Sequence, residues 1–317
     1  MGRYIVRRLL IAVPTLLALS FLIFTLVSNA PGDPAEELAR RLDSRGEVSR
    51  QEIAVVRHQI GLDRPFFRQY LHWLGGAVHG NLGRSFVLQT SVRHEIGRRL
   101  PATAELALAG FAMIIVLSVP LAVAAAMLHR HWADHFLRLL SLIGASVPSF
   151  FLSYILIIVF ATKLGLLPVA GRQGLNSVLM PALATAVLPT SVVARLLRSS
   201  LLEVFAEDYM RTARSKGLAA LPVVLRHGLR NAAVPAVTYL GTVFGSLLEG
   251  VVITEVVFAW PGLGQLTVQS ITQRDYPMIQ GIVLFVGTVF VLTNLLVDLS
   301  YRVLDPRVRV EAALELV

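Results

Sequence analysis

Leu9–Gly32 reads LLIAVPTLLALSFLIFTLVSNAPG, twenty-four residues without an Asp, Glu, Lys or Arg. As a helix rising ~1.5 Å per residue, such a run crosses the ~30 Å hydrocarbon layer of a membrane. Five further uncharged runs follow: Leu106–Leu128, Leu139–Thr162, Gln173–Ala194, Asn231–Leu248 and Tyr276–Val297. Only helices and closed barrels satisfy their backbone polar groups in lipid. None of the runs alternates strictly over ~10 residues, which argues against a barrel. The sequence therefore predicts an all-α membrane protein with six transmembrane helices. Composition agrees, with 55% hydrophobic and 15% charged residues, where soluble chains carry about 25% charged residues.

The net charge of +9 raises the question of nucleic acid, and the placement of the charges answers it. With the N-terminus inside, the short cytoplasmic segments hold Arg3, Arg7, Arg8, Arg130, Arg138, Arg195, Arg198, Arg211, Arg214, Lys216, Arg226, Arg230, Arg302, Arg307 and Arg309. The two short external loops hold only Lys163, Arg172 and Arg274. That asymmetry follows the positive-inside rule, and long loops such as 33–100 translocate largely regardless of charge. No nucleic-acid partner is expected.

The chain has no cysteine, so disulfides, thiolate metal sites and thiol catalysis are excluded. Arg3, Arg7 and Arg8 before an apolar stretch, and Ser28-Asn29-Ala30 after it, imitate a signal peptide. The apolar stretch exceeds the usual ~7–15 residues, and an uncleaved first helix is expected.

Predicted organisation places a tail and first helix in 1–32, an external segment in 33–100, a helical core in 101–301 that includes the cytoplasmic loop 198–230, and a cytoplasmic tail in 302–317. The first helix spans about Leu9–Asn29 and ends at Pro31-Gly32-Asp33-Pro34, where helix cannot continue. In the external segment Ile53, Val56 and Ile60 share a helical face, with Gly61 as a stop. A second helix starts at Pro65 and stops at Gly75-Gly76. Its aromatic circumference suits packing against the outer ends of membrane helices, with a docking surface for an external protein as the alternative. Further helices are expected over about Pro101–Leu128, Leu137–Thr162, Ser177–Leu197, Asn231–Phe258 and Met278–Tyr301. Arg198–Arg230 forms the sizeable internal loop. Pro14, Pro120, Pro148, Pro181, Pro189 and Pro235 lie within helices 1 to 5 and are expected to kink them. No internal repeat suggests an inverted-repeat secondary transporter, the less favoured alternative.

Several chemistries are missing. The two lysines follow Thr162 and Ser215, so no Gly-Lys-Ser/Thr phosphate loop exists. His94-Glu95 lacks a second histidine at zincin spacing, and no Gly-x-Ser-x-Gly occurs. No catalytic residue and no metal site is predicted. His129, His131 and His135 have a spacing that a metal could use; an interfacial loop beside Trp132 and Asp134 that anchors helix ends is the preferred reading. Charges inside membrane helices cost ~2.5–3.5 kcal/mol or more, which marks them as functional candidates. Glu249 suits a polar pathway or subunit interface, Glu255 lies near the outer end of its helix, and Asp298 suits an ion pair with Arg302 at i, i+4.

Glu207-Asp208-Tyr209-Met210-Arg211-Thr212-Ala213-Arg214-Ser215-Lys216-Gly217 reads as one short isolated helix in the internal loop. Acids open it, bases close it and glycine stops it, which complements the helix dipole. So short a helix is marginal alone in water, and the sequence predicts a partner that buries Tyr209, Met210 and Ala213. The alternative is a helix lying on lipid headgroups.

This stretch resembles the cytoplasmic coupling segment of ATP-binding-cassette importer permeases. Arg211-Thr212-Ala213 stands where the family has Glu-Ala-Ala, and Gly217 stands at its glycine. His227-Gly228-Leu229-Arg230 departs from the general Ile-x-Leu-Pro and is similar to the dipeptide/oligopeptide/nickel branch. Arg7-Arg8-Leu9-Leu10, Gly61-Leu62-Asp63-Arg64-Pro65, Gly80-Asn81-Leu82-Gly83-Arg84-Ser85 and Glu255-Val256-Val257-Phe258-Ala259-Trp260-Pro261-Gly262-Leu263-Gly264 resemble the same branch, as do Asp298-Leu299-Ser300-Tyr301-Arg302 and Asp305-Pro306-Arg307. Asn81 replaces the aspartate common there. The long external loop after helix 1 resembles the first, B-type permease of the pair.

The resemblance implies a type I importer permease fold in a bacterial inner membrane, with both termini cytoplasmic. It implies a second paralogous permease, two ATPase subunits that carry ATP and Mg, an extracytoplasmic substrate-binding protein and a peptide cargo, with nickel chelates or glutathione as alternatives. This chain would hold no cofactor of its own. Glu207–Gly217 would dock on an ATPase, and Trp260, Pro261, Gly262 and Gly264 would form an external gate or docking turn. Ser146, Ser149, Tyr154, Glu249 and Asn294 are pathway candidates on polarity.

Overall fold

In the computed structural model of the chain, residues 2–30, 32–42, 48–217 and 219–304 are described, with side chains 2–9, 41, 42, 214, 248–250 and 298–304 set aside. The chain divides into two compact units, one from Met1–Ala102 with Pro261–Leu295, the other from Thr103–Trp260 with Leu296–Val317.

Among the described residues the named elements are helices, with one isolated antiparallel bridge between Arg84 and Ser91. Helices α1 (Gly2–Ser28), α2 (Pro34–Leu42), α3 (Arg50–Gln59) and α4 (Phe66–Val78) lead into α5 (Val92–Met127). There follow α6 (Trp132–Ser146), α7 (Ser149–Leu156), α8 (Leu175–Phe205), α9 (Asp208–Ser215), α10 (Ala220–Val223), α11 (Leu229–Gly250), α12 (Val252–Val257), α13 (Leu263–Thr272) and α14 (Tyr276–Leu304).

By length and apolar composition four helices can cross a membrane, in Leu10–Ser28, Val92–Met127, Leu175–Phe205 and Tyr276–Val297. A fifth span results if α6 and the segment Ser149–Lys163 count as one. The sequence expectation of six spans is thus met by four or five among the described residues. The sixth apolar run lies in α11.

Three boundaries correct the sequence reading. The helix expected over Leu137–Thr162 is broken, its halves meeting at 105°. Pro148 cannot donate a backbone hydrogen bond and pushes Val147 out of the helical region, where Val147 has ψ of 121°. The helix then ends in a π-helical turn, Ile157–Lys163. The helix expected over Asn231–Phe258 is interrupted between α11 and α12. Helix α4 runs through Gly75-Gly76 to Val78, since glycine weakens a helix by only about 1 kcal/mol each and does not forbid it.

In the first unit, Ser49 caps α3 in a reciprocal capping box with Glu52, and Gly61 ends the turn after it at φ +73°. Val56 of α3 buries against Ala35, Leu38 and Ala39 of α2. A second core joins Val92 and Ile96 of α5, Leu263 and Leu266 of α13, and Met278 and Ile282 of α14. Gly287 of α14 meets Leu19 of α1 so closely that a Cβ there would stand 2.1 Å from Leu19 Cδ2.

In the second unit, α5, α8 and α11 share a core rich in small residues, among them Ala107, Ala122, Ala126, Ala186, Ala194, Ala232 and Ala236. Small residues let membrane helices approach closely, and dispersion then holds them where no hydrophobic driving force exists. Helix α6 is fastened to α8 by charge. Arg198 donates from Nε to Asp134 Oδ1 at 2.8 Å and from Nη2 to Asp134 Oδ2 at 2.6 Å. Asp134 is 1% exposed. Removing one partner of a buried pair strands the other charge, at a cost of about 3–5 kcal/mol. Arg198→Ala is therefore expected to lower the thermal unfolding midpoint of the solubilised protein sharply, and Asp134→Asn added to it should recover much of the loss.

Candidate functional site

Between α8 and α11 the chain forms the short helix α9, tied back to its neighbours through Met210 and Tyr209. Helix α8 ends at Phe205, and the Glu207 carbonyl accepts the first bonds of α9 from the backbone N–H of Met210 at 3.1 Å and Arg211 at 3.3 Å. Thr212 Oγ1 donates to the Asp208 carbonyl at 3.0 Å and Ser215 Oγ to the Thr212 carbonyl at 2.9 Å. Gly217 takes φ +75°, the left-handed geometry at which L side chains are strained. The chain then enters α10 and passes through a π-helical turn, Val224–Gly228, into α11. Such turns recur at functional hinges.

Met210 is the anchor. It is fully buried, with its Cε 3.6 Å from where a Cβ would stand on Gly228, the same point being 3.5 Å from Phe205 Cε1 and 3.6 Å from Leu201 Cδ2. The small Gly228 leaves the space that the methionine fills. Tyr209 accepts a hydrogen bond from Asn231 Nδ2 at 2.8 Å through its hydroxyl, yet its ring is 41% exposed. Ala213 is half-buried, while Glu207, Asp208, Arg211, Thr212, Ser215 and Lys216 are exposed. The expectation that an outside partner buries Tyr209, Met210 and Ala213 is corrected for Met210, which its own chain covers. The remaining face is free. The Arg214 side chain lies outside the described residues.

The other sequence candidates scatter. Ser146 is exposed and bonds its own helix through the Leu142 carbonyl at 2.9 Å. Ser149 and Tyr154 lie just beyond the Pro148 break, Tyr154 exposed. Asn294 is half-buried on α14. The side chains of Glu249, Asp298 and Arg302 lie outside the described residues, as does Asp305-Pro306-Arg307. Trp260 is fully buried, its backbone N–H donating to the Glu255 carbonyl at 2.8 Å. Gly262 and Gly264 are buried and Pro261 is half-buried. His129 bonds into the Asp134–Arg198 pair, 3.3 Å from Arg198 Nη2, and His131 accepts from the Ala133 backbone N–H at 3.5 Å. Both histidines thus anchor the start of α6. No cluster of three or more metal-binding side chains occurs among the described residues.

The sequence reading missed the buried carboxylate Asp275 and the partner of Glu255. Asp275 accepts from Ser85 Oγ and from the backbone N–H of Phe86 at 3.0 Å and Val87 at 3.4 Å, closing the loop before α5 in the first unit. Glu255 accepts from Thr103 Oγ1 at 2.7 Å in the second unit. Residues so far apart in sequence give no local sign of pairing. The first unit also holds a cavity of about 620 Å³, with Phe24, Arg57, Arg64, Trp73, Tyr276 and Gln280 in its wall. Nearby, the His58 hydrogen bond holds the Asp63 carboxyl below its ordinary range.

The described chain is thus a set of long apolar helices with one short polar helix, α9, between α8 and α11. Comparison with known proteins agrees: the chain belongs to the family of binding-protein-dependent transport system inner membrane components, which matches residues 118–310, with the N-terminal region of such components matching residues 1–107. It is thus a permease subunit of an ATP-binding-cassette importer, a multi-pass inner-membrane component and not an enzyme. Among its relatives is the glutathione transport system permease protein GsiC of Escherichia coli (strain K12), 40% identical over 98% of this chain and 99% of that protein. GsiC of Salmonella typhimurium is 41% identical over the same shares. Chains of this family work with ATPase, binding-protein and second-permease partners.

Met210→Ala removes the anchor, a core truncation costing about 2–5 kcal/mol. Amide hydrogen exchange across residues 208–215 is expected to speed up while α8 and α11 stay protected, and Met210→Leu should keep the exchange near wild type.

Proposed function

We propose that the importer carries small peptides, with glutathione as the first cargo to test. The observation that carries this reading is the 40–41% identity to glutathione permeases along 98% of the chain. The chain pairs with a paralogous permease around a common pore. Two ATPase subunits, holding ATP and Mg, lie on the Asp208–Ser215 side. A binding protein delivers cargo to the opposite side. Both termini are cytoplasmic, an orientation supported by the arginine excess in the short loops of that side.

The exposed face of α9 docks in a groove of one ATPase, and closure of the ATPases moves the lever and rocks the helices to which it is tied. Met210 carries the push into Leu201 and Phe205 of α8, while the π-helical turn before α11 absorbs the bend. The candidate side chains Ser146, Ser149, Tyr154, Glu249 and Asn294 border the route, and the turn at Trp260–Gly264 faces the binding protein. Substrate affinity resides mainly in that binding protein.

The test is ATP-driven uptake by the complete importer reconstituted in liposomes with its binding protein. Labelled glutathione should accumulate only with ATP and be competed by unlabelled glutathione. Uptake of dipeptides or a nickel chelate with none of glutathione would assign the cargo otherwise, and uptake driven by an ion gradient without ATP would defeat the reading. Gly217→Val forces a β-branched residue into φ +75°, a strain of about 1–2 kcal/mol. It is expected to leave membrane insertion and ATP hydrolysis in place and to reduce uptake per ATP.

A further inference from the structure

Helix α4 presents three faces. At ~100° per residue, Phe66, Gln69, Tyr70, Trp73 and Ala77 occupy one side, Arg68 and His72 a second, and Phe67, Leu71, Leu74 and Val78 a third. The first side is packed on α1. Phe24 meets Phe66, Tyr70 and Trp73 at ring centroid distances of 5.4–5.6 Å, and Phe21 meets Tyr70 edge-on at 5.3 Å. The Tyr70 hydroxyl and Ser20 Oγ share a buried hydrogen bond of 2.9 Å. The third side has little cover: Phe67 is 67%, Leu71 63% and Val78 76% exposed.

The depth of that contact decides what covers the free side. The uncharged part of α1 covers residues 9–28, or about 30 Å at 1.5 Å per residue. That length barely crosses a ~30 Å hydrocarbon layer, so none of it can be left outside. Arg7 and Arg8 stand just before it in sequence, where charge resists being drawn further in. Counted back from Ser28, Phe24 lies about 6 Å, Phe21 about 10 Å and Ser20 about 12 Å below the end of the span. A helix whose aromatic side chains reach these residues is at least partly within the hydrocarbon itself.

We propose that α4 is a membrane-embedded interfacial helix, its face of Phe67, Leu71, Leu74 and Val78 covered by lipid acyl chains in the leaflet where α1 ends. Arg68 and His72, on the adjoining side, reach the headgroups, Arg68 as a cation beside lipid phosphate. The segment between α1 and α5 is thereby anchored in the bilayer through one helix, while α2 and α3, with their charged surfaces, stay in water. The amide of Gln69 is satisfied by the Leu62 and Arg64 carbonyls at 3.2 and 2.8 Å, so it places no unpaired donor at that depth.

The absence of native cysteine leaves the introduced site as the one thiol in this chain, and the partner subunits are used in cysteine-free form. Leu71→Cys, Val78→Cys and, as a water reference on α3, Val55→Cys would each be spin-labelled in the complete importer in liposomes, uptake showing that each variant is assembled. Labels at 71 and 78 are expected to collide strongly with oxygen, which partitions into hydrocarbon, and severalfold less than the label at 55 with a water-soluble nickel chelate. Nickel collisions equal to those at 55 would place the face in water. Immobile labels protected from both reagents would show a protein partner, the second permease or the binding protein, on it. Either result overturns the proposal. The two sites report the same face, so the loss of one variant leaves the other to decide.

Discussion

No water is present in the hydrocarbon layer to bond an exposed amide or hydroxyl, and this structure follows from that constraint. Backbone groups are satisfied within helices. Side-chain hydroxyls fold back on their own helix: Thr15 to the Ile11 carbonyl, Thr25 to Phe21, Ser141 to Leu137, Ser153 to Ser149 and Ser191 to Val187, all at 2.8–3.1 Å. Each places its oxygen on a carbonyl one turn earlier and leaves its carbon face to the surroundings. Of the buried hydroxyls in the second unit, Ser118 and Thr190 have no such bond. Charges near these helices obey the same rule, Asp134 through Arg198 and Glu255 through Thr103.

That constraint also explains where the chain yields. Pro148 breaks one apolar segment through 105°, and helical bonding runs up to the break on both sides, the Val147 N–H donating to the Ile143 carbonyl at 3.1 Å and the Leu152 N–H to the Pro148 carbonyl at 3.1 Å. Outside the layer the rule relaxes. Helix α9 can be short, polar and half-free because water satisfies its exposed side. On its other side the buried Met210 and the Tyr209 hydrogen bond to Asn231 tie it to the long helices around it.

Much of the site was legible locally. The bounds of α9 follow from Asp208 at its start and Gly217 after its end, where dipole and backbone geometry act within a few residues. Two helices between α1 and α5 could also be read, α3 from its apolar spacing and α4 from Pro65. The anchor could not. Met210 looks like a residue awaiting a partner until the fold brings Leu201, Phe205 and Gly228 to it. Nor does anything near Asp275 announce that it holds residues 85–87, some 190 positions earlier.

By itself, the sequence determined that this chain is a helical membrane protein, and where the short helix between two of its long ones begins and ends. Uncharged length, charge asymmetry and capping act through neighbours in sequence and need no knowledge of the rest. Tertiary structure alone decided that one expected span is bent, that Trp260 is buried, that α4 reaches back to Ser20, and that Met210 is covered from within. Those outcomes depend on which distant residues meet at close range, and the packing of small residues and buried pairs that selects them leaves no periodic trace along the chain.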